Sequence, residues 1–201
     1  MKLLLNSTGF ESGKIRSEFL KFFDKGIDDL KVVFLHTSAR GFEERFLEEM
    51  RKHWVLMGFG LENLNFVDMD KWKKGVLDFD VVCVCGGNTF YILDRMKKCG
   101  VFENVGKAVN EGAVYIGMSA GSIIAGPDIE VSGRGSSPDV NDIDLEDFIG
   151  LGFTDKIIIP HYGVDDERDL VEFEKEREVE VVRLRDGEAL VVDGDVVRVV
   201  G

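Results

Sequence analysis

Short apolar runs alternate with amphipathic stretches along the first 116 residues of the chain. The runs that predict strands are "KLLL", "KVVFLH", "LNFVD", "DVVCVCGG" and "AVYI". The stretches that predict helices lie near residues 14–25, 43–57, 89–98 and 104–111. Strands that alternate with helices in this way are typical of a parallel sheet with helices on both faces.

The C-terminal part of the chain predicts a second set of elements. A strand in "KIIIPHYG" is followed by an acidic helix near residues 165–177 and by strands in "VEVVRL", "EALVVD" and "DVVRVV". The segment "VVDGDVV" predicts a terminal β-hairpin with Asp-Gly in its turn. The sequence contains neither a repeat nor an interdomain linker, so we expect residues 1–201 to form a single α/β domain.

Residues 127–155 interrupt the alternation with a long polar stretch. Connections of this length inside a compact domain are usually functional lids or disordered segments. The stretch directly follows the motif "GMSAG" at residues 117–121. We therefore expect it to form a lid over a site at that motif.

The motif "GMSAG" places Ser119 between the apolar run "AVYI" and the start of a helix. Gly117, Ala120 and Gly121 are small enough for a sharp strand-to-helix corner that leaves the hydroxyl exposed. Backbone N–H groups at such a helix start can stabilise an oxyanion. One interpretation is a serine that only caps the helix. We favour a nucleophile, and a nucleophile elbow predicts φ above zero at Ser119.

Charge and cysteine usage narrow the class of protein. The net charge of −13, with 25 Lys and Arg against 38 Asp and Glu, argues against a nucleic-acid surface. The odd number of cysteines, two of them alternating in "VVCVCGG", indicates reduced core thiols rather than a disulfide framework. The three leucines near the start are too few for a signal-peptide core, and no stretch is long enough to span a membrane. We expect a soluble, cytoplasmic protein.

A serine nucleophile needs a base, and the chain has only three histidines. His161 is the strongest candidate because "IIIPHYG" delivers it from the end of a buried strand. His36 ends the strand "KVVFLH" and ranks second, whereas His53 lies in the charged stretch "EEMRKHW" and is expected at the surface or its boundary.

The acid that orients the base is less sharply defined. Asp186 and Glu188 follow a strand in "RLRDGEALVV", and either could hold the Nδ1–H of His161. Acids at residues 165–167 are nearer in sequence, but they are typical of a helix N-terminus. We favour Asp186. The resulting chain order Ser, His, Asp differs from that of the α/β-hydrolases, where the acid precedes the histidine.

Four segments together resemble peptidase E, the aspartyl dipeptidase family of serine peptidases, whose broader group includes cyanophycinase. They are "VCGGNTFYIL", "YIGMSAGSIIAG", "IIIPHYG" and "LRDGEALVV", and the resemblance covers nearly the whole chain. It implies a three-layer α/β fold with a mainly parallel sheet, similar to the class I glutamine amidotransferases, here with a C-terminal β-hairpin. It also implies no metal and no organic cofactor.

The resemblance assigns roles to individual positions. Ser119 matches the family nucleophile, His161 its base, and Asp186 stands where peptidase E has a glutamate. The oxyanion donors implied are the backbone N–H groups of Gly87 and Ala120. Asn88 is implied to line the pocket. The chain departs from the family in the loop after the elbow and in a shorter connection between the base and the acid.

Substrate choice is predicted from one further residue. Arg168 in "DDERDL" falls in a segment that resembles the one where peptidase E carries its aspartate-reading arginine. A guanidinium is also needed if a chain this acidic is to bind an anionic peptide. The same arginine could instead neutralise its acidic neighbours on an exposed helix, in which case Arg40 or Arg134 would replace it.

The predicted function is hydrolysis of short peptides, specifically dipeptides with an N-terminal aspartate, through an acyl-enzyme on Ser119. The alternatives are a cyanophycinase-like or β-aspartyl peptide hydrolase with the same three residues, and a catalytically silent homologue that binds a small molecule. We expect a small peptide as the only partner class, with neither nucleic acid nor membrane, and a monomer or homodimer.

Overall fold

The computed structural model describes residues 1–10, 12–24, 26–40, 44–73, 75 and 78–201. Nine strands lie within these residues: β1 (Lys2–Asn6), β2 (Val32–His36), β3 (Leu64–Asp68), β4 (Val81–Val84), β5 (Val114–Met118), β6 (Ile157–Ile159), β7 (Val181–Arg183), β8 (Ala189–Asp193) and β9 (Val196–Val200). The α-helices of the same residues are α1 (Gly13–Leu20), α2 (Glu44–Leu56), α3 (Thr89–Lys98), α4 (Val101–Asn110), α5 (Ala120–Ile124) and α6 (Glu167–Arg177).

Seven strands form one sheet in the order β3-β2-β4-β5-β1-β8-β9. The first five of these are parallel, while β8 runs antiparallel to β1 and β9 antiparallel to β8. One face of the sheet packs on the buried side chains of α1 and α2, and the other face packs on those of α3, α4, α5 and α6. The predicted α/β fold, with a mainly parallel sheet between helical layers and a C-terminal hairpin, is confirmed.

Several element boundaries differ from the sequence-based prediction. Helix α1 ends at Leu20 because the chain tightens into i→i−3 hydrogen bonds, such as Phe22 N to Phe19 O at 3.0 Å. Helix α4 begins at Val101, earlier than expected, because Gly100 at φ 74° ends α3 and starts the next helix at once. The predicted ends at Lys25 and Glu43 lie outside the described residues.

The C-terminal elements also differ in detail. The hairpin loop consists of Gly194 and Asp195, while Asp193 pairs with Val196 as the last residue of β8. Strands β6 and β7 do not join the main sheet but form a separate parallel pair. This pair delivers two loops to the carboxyl end of the main sheet.

Residues 127–155 pack against the rest of the molecule. They contain one short 3-10 helix (Glu130–Gly133), and the side chains of Ile129 and Val131 are fully buried. Asp139 Oδ2 accepts a hydrogen bond of 2.8 Å from the backbone N–H of Thr89 at the start of α3. The segment therefore forms a wall beside α3, and its predicted action as a lid stays a prediction.

Two expectations from composition concern the cysteines and the membrane. Cys83, Cys85 and Cys99 are unpaired and buried, as the prediction of core thiols requires. Within the part of the chain that the structure describes, no helix has both the length and the apolar character needed to cross a bilayer.

Candidate active site

The residues predicted for the site follow the carboxyl ends of parallel strands. Ser119 comes directly after β5, Gly87 three residues after β4, His161 two residues after β6 and Asp186 three residues after β7. Strands β4 and β5 end at the carboxyl edge of the main sheet, where α/β proteins place their sites, and the separate β6–β7 pair directs its two loops to the same edge. The fold thereby brings together residues that are far apart in sequence.

Ser119 stands on a sharp turn between β5 and α5, with φ 51° and ψ −113°. The predicted positive φ is confirmed. A Cβ at Gly121 would lie 2.1 Å from Val84 O, and a Cβ at Gly117 would lie 2.6 Å from the backbone of Gly121, so both positions require glycine. The motif is therefore explained by backbone crowding at the corner.

Hydrogen bonds hold this strained turn in place. The backbone N–H of Ser119 donates to Asn6 O at 2.9 Å. The hydroxyl of Ser122 lies 2.8 Å from both Asn6 O and Gly117 O, and Tyr115 Oη donates to Gly121 O at 2.7 Å. A strained backbone persists only where its surroundings fix it in this way.

Three side chains form a continuous line of hydrogen bonds. Ser119 Oγ lies 2.9 Å from His161 Nε2, and His161 Nδ1 lies 2.7 Å from Asp186 Oδ1. His161 itself has φ 56°, a second strained backbone position at this edge. The arrangement has the geometry of a nucleophile, a base and an orienting acid.

Asp186 is the acid in contact with the base, as predicted. Glu188 Oε2 accepts a hydrogen bond of 2.9 Å from the backbone N–H of Arg185 and so stabilises the turn between these two residues. Partial burial raises the pKa of Asp186, but hydrogen bonds from Ser7 and His161 outweigh this effect and leave the pKa below its ordinary value. The carboxyl is therefore ionised at neutral pH.

Sequence reasoning missed Ser7, which follows β1. Its hydroxyl donates to Asp186 Oδ1 at 2.8 Å, accepts the backbone N–H of His161 at 2.8 Å and lies 3.3 Å from His161 Nδ1. Ser7 is 1% exposed, so its hydroxyl is fixed between the acid and the base. The available signal was its place after an apolar strand in "LLLNST".

The other two histidines lie apart from this line. His36 is buried at the end of β2, where burial lowers its pKa, and it does not line the cavity beside Ser119. His53 is half-buried on α2, and its Nε2 lies 3.4 Å from the guanidinium of Arg16. Neither takes the place of His161.

Gly87 and Ala120, the two residues implied to supply oxyanion donors, lie next to the nucleophile. Gly87 lines the cavity beside Ser119 with φ 135°, a conformation that favours glycine. Ala120 is the first residue of α5. The N–H groups of Gly87 and Ala120 have no acceptor within the described part of the chain. Both donors are therefore unused by the protein itself.

A cavity of about 120 Å³ opens beside the nucleophile. Its lining includes Ser119 and His161, and its far wall comes from residues 127–155 and from the start of α3. The other polar lining residues are Thr89, Ser132, Arg134, Ser136, Ser137, Asp139 and Asp166, and the lining is completed by Gly87, Ile123, Ile159 and Pro160. The cavity is thus suited to a small ligand group.

The predicted contact residue Asn88 is not among the described residues that line this cavity. Its Oδ1 accepts a hydrogen bond from Tyr91 N at 3.0 Å, and its Nδ2 donates to Val140 O at 2.9 Å. Both ends of the amide are used, so Asn88 caps α3 and ties the following segment to it. Its predicted role in contacting a substrate stays a prediction.

Arg168 is likewise absent from the described lining of the cavity and is exposed on the first turn of α6. The buried side chains of this region are Asp166, Leu170 and Phe173, which share one side of the helix. Arg168 lies two residues after Asp166 in the chain, so its side chain points away from the buried side of the helix. The sequence could not decide this, because all its neighbours are charged.

Of the two substitute arginines, Arg134 lines the cavity. Its guanidinium donates a hydrogen bond of 2.7 Å to Glu176 Oε2 and lies 3.5 Å from Asp169 Oδ1. Arg40 pairs with Asp142 instead and lies over the Tyr91 ring, 5.3 Å from its centroid. The cation at the site is therefore already bound to two carboxylates.

Comparison with known proteins gives consistent matches. The model of peptidase family S51 matches residues 3–200. An uncharacterized peptidase of Pasteurella multocida is 27% identical over 161 residues, which cover 74% of this chain and 75% of that protein. Peptidase E of a Nostoc species is 26% identical over 213 residues, which cover 99% of this chain and 84% of that protein.

A solved structure supports the same fold. A crystal structure of a protein assigned to peptidase E from Listeria monocytogenes EGD-e superposes with a TM-score of 0.76 and 20% sequence identity. The superposition covers 99% of this chain and 97% of that one.

Proposed function

The chain belongs to peptidase family S51 and is a serine-type peptidase, and on that premise we propose that it hydrolyses short peptides through an acyl-enzyme formed on Ser119. The observation that carries the proposal is the unbroken line of hydrogen bonds from Ser119 through His161 to Asp186, at 2.9 and 2.7 Å. A serine that only capped α5 would need no such partner. The side chain of Ser119 makes no capping bond to that helix.

The base acts through its two ring nitrogens. Because Asp186 accepts the proton of His161 Nδ1, the neutral ring presents the lone pair of Nε2 to the Ser119 hydroxyl. Ser119 Oγ attacks the peptide carbonyl carbon, and its proton passes to Nε2. The C–N bond then breaks, and the same proton passes to the leaving amine. A water molecule repeats the sequence on the ester and releases the acid.

The tetrahedral intermediate carries a negative charge on the former carbonyl oxygen. The free N–H groups of Gly87 and Ala120 are the donors that we assign to this oxygen. Donors fixed before the reaction stabilise the developing charge without reorganisation, and one such donor is typically worth about 3 to 4 kcal/mol. The strained corner at Ser119 places the start of α5, and with it the N–H of Ala120, directly after the nucleophile.

The predicted preference for an N-terminal aspartate depended on a free arginine at the site. Arg168 lies outside the cavity, and Arg134, which lines it, is bound to Glu176 and Asp169. We therefore confine the proposal to short peptides.

Labelling with a fluorophosphonate tests the proposal directly. The reagent reacts with an activated serine, so we expect one covalent addition per chain, which peptide mass spectrometry places on Ser119. The Ser119→Ala variant should remain unlabelled. Ser17→Ala, which removes an exposed serine from α1, should be labelled like the wild type. An unlabelled wild-type protein would favour the silent binding homologue.

Ser7 should act as a positioning residue for this reaction. Ser7→Ala removes the hydroxyl that holds both the Asp186 carboxylate and the His161 backbone. A hydrogen bond to a charged group contributes about 1.5 to 3 kcal/mol, so we expect kcat to fall about tenfold to a hundredfold with little change in KM. Steady-state kinetics on a cleaved dipeptide measures both constants.

The control for Ser7 is the conservative variant Ser7→Thr, which keeps the hydroxyl and should recover part of the lost kcat. Thermal unfolding of both variants separates this effect from a loss of structure. Wild-type kcat in a folded Ser7→Ala protein would show that the acid and base hold their positions without it.

A further inference from the structure

The two edge strands of the main sheet differ in how they are covered. Strand β3 at one edge carries Asn65 and Asp68, and the guanidinium of Arg51 on α2 lies over its Phe66 ring, 4.7 Å from the centroid. Strand β9 at the other edge has the sequence VVRVV, and within the described part of the chain no further strand pairs with it. The sheet is therefore open at β9.

The side chains of β9 leave this edge apolar. Val196, Val197 and Val199 are 51%, 45% and 49% exposed. Natural edge strands usually carry a lysine, a proline or a bulge that prevents a further strand from pairing. Strand β9 pairs with β8 in an unbroken register, and its charged residue, Arg198, is already bound to Glu18 of α1. The edge thus lacks the usual protection against pairing.

The hairpin determines which backbone groups of β9 face outward. Its two-residue loop is closed by Asp193 and Val196, and the closing residues of such a loop form a hydrogen-bonded pair. Hydrogen-bonded positions alternate along an antiparallel strand. The N–H and C=O groups of Val197 and Val199 therefore point away from β8. These four groups can bond to a further strand.

We infer that β9 pairs antiparallel with β9 of a second copy of this chain and joins the two seven-stranded sheets into one. A strand is complementary to itself in this arrangement, because a two-fold rotation places its N–H groups opposite its own C=O groups. Val197 of one copy lies opposite Val199 of the other, which uses all four outward groups of each strand. Arg198 then lies at the two-fold axis.

The charges and the space around β9 fit a second copy. In this register Asp195 of one copy lies opposite Gly201 of the other, where the Lys14 ammonium donates to Gly201 O at 2.7 Å. Opposite charges therefore meet at both ends of the interface, although the chain as a whole has a net charge of −13. The two arginines at the axis are each paired with Glu18. A groove of about 360 Å³ between α1 and β9 leaves room for Val196 of the second copy.

The oligomeric state in solution tests the inference. Sedimentation velocity up to about 200 μM, which detects an interface of micromolar affinity, should show a species of twice the mass of the chain. Val197→Pro removes an outward N–H that β8 does not use, so the dissociation constant should rise at least tenfold. Val197→Thr keeps the N–H and the branched side chain and should dimerise like the wild type.

Either of two results would overturn the pairing: a wild-type protein that stays monomeric at this concentration, or a folded Val197→Pro variant that dimerises as tightly as the wild type. Circular dichroism and thermal unfolding show whether the proline variant is folded. A second test with cysteine variants does not depend on that outcome.

Arg198→Cys places a sulfur atom at the two-fold axis. Opposite residues of an antiparallel pair that are not hydrogen-bonded have Cα atoms about 4.5 Å apart, which is within the range of a disulfide. The native cysteines are buried and do not compete. Under mild oxidation we expect a disulfide-linked dimer on a non-reducing gel.

Val196→Cys is the matched control for this cross-link. Its two copies would lie four residues apart along the paired strands, about 13 Å, which is too far for a disulfide. Arg198→Cys should therefore cross-link at least tenfold faster than Val196→Cys. Equal rates in the two variants, or no cross-link in Arg198→Cys, would contradict the inferred pairing.

Discussion

Replacing Ser119 or His161 by alanine should lower kcat for peptide hydrolysis on the order of a thousandfold or more. Ser119→Ala removes the attacking oxygen, and His161→Ala removes the only ring within hydrogen-bond distance of it in the described structure. The remaining N–H donors at Gly87 and Ala120 can still bind an oxyanion. Steady-state turnover of a dipeptide with each purified variant measures the loss.

Both variants should stay folded. Alanine has the same Cβ as serine, so Ser119→Ala adds no strain at φ 51°. The two residues act as one unit, so the double variant should be little worse than either single variant. Turnover within tenfold of the wild type in either folded single variant would contradict the proposed mechanism.

Much of the fold follows from local pattern. The apolar run "LNFVD" is observed as β3 (Leu64–Asp68), and the amphipathic stretch after "CGGN" as α3 (Thr89–Lys98), both with the predicted bounds. The separate pairing of β6 with β7 was not predictable, because an apolar run indicates a strand but not its neighbour. Helix ends depended on local hydrogen bonds that composition does not specify.

The same distinction between local sequence pattern and long-range contacts applies to the site residues. Ser119, His161 and Asp186 were predictable because each follows a predicted strand and each matches a functional position of the peptidase E family. Ser7 was missed because a small polar residue after a strand is also typical of an ordinary turn. The failure at Arg168 has a different cause: whether an arginine reaches a site depends on long-range contacts, such as that of Arg134 with Glu176.

The acid of the site should be distinguishable from its neighbour by mutation. Asp186→Asn should lower kcat on the order of a thousandfold, because the amide can donate to His161 Nδ1 and so favour the tautomer in which Nε2 no longer accepts the proton of Ser119. Glu188→Gln should stay within about threefold of the wild type, since its carboxylate serves only the turn at Arg185 N and an amide oxygen can accept the same bond. Steady-state kinetics of the two variants on one dipeptide makes the comparison.

The resemblance to a family that carries glutamate at this position supplies a further control. Asp186→Glu restores a carboxylate on a longer side chain, so it should recover more activity than Asp186→Asn if charge and tautomer are the cause. If Glu188→Gln were the more damaging change, or if Asp186→Asn stayed within tenfold of the wild type, the contact of 2.7 Å between Asp186 and His161 would be structural only. The acid that orients the base would then have to come from elsewhere in the chain.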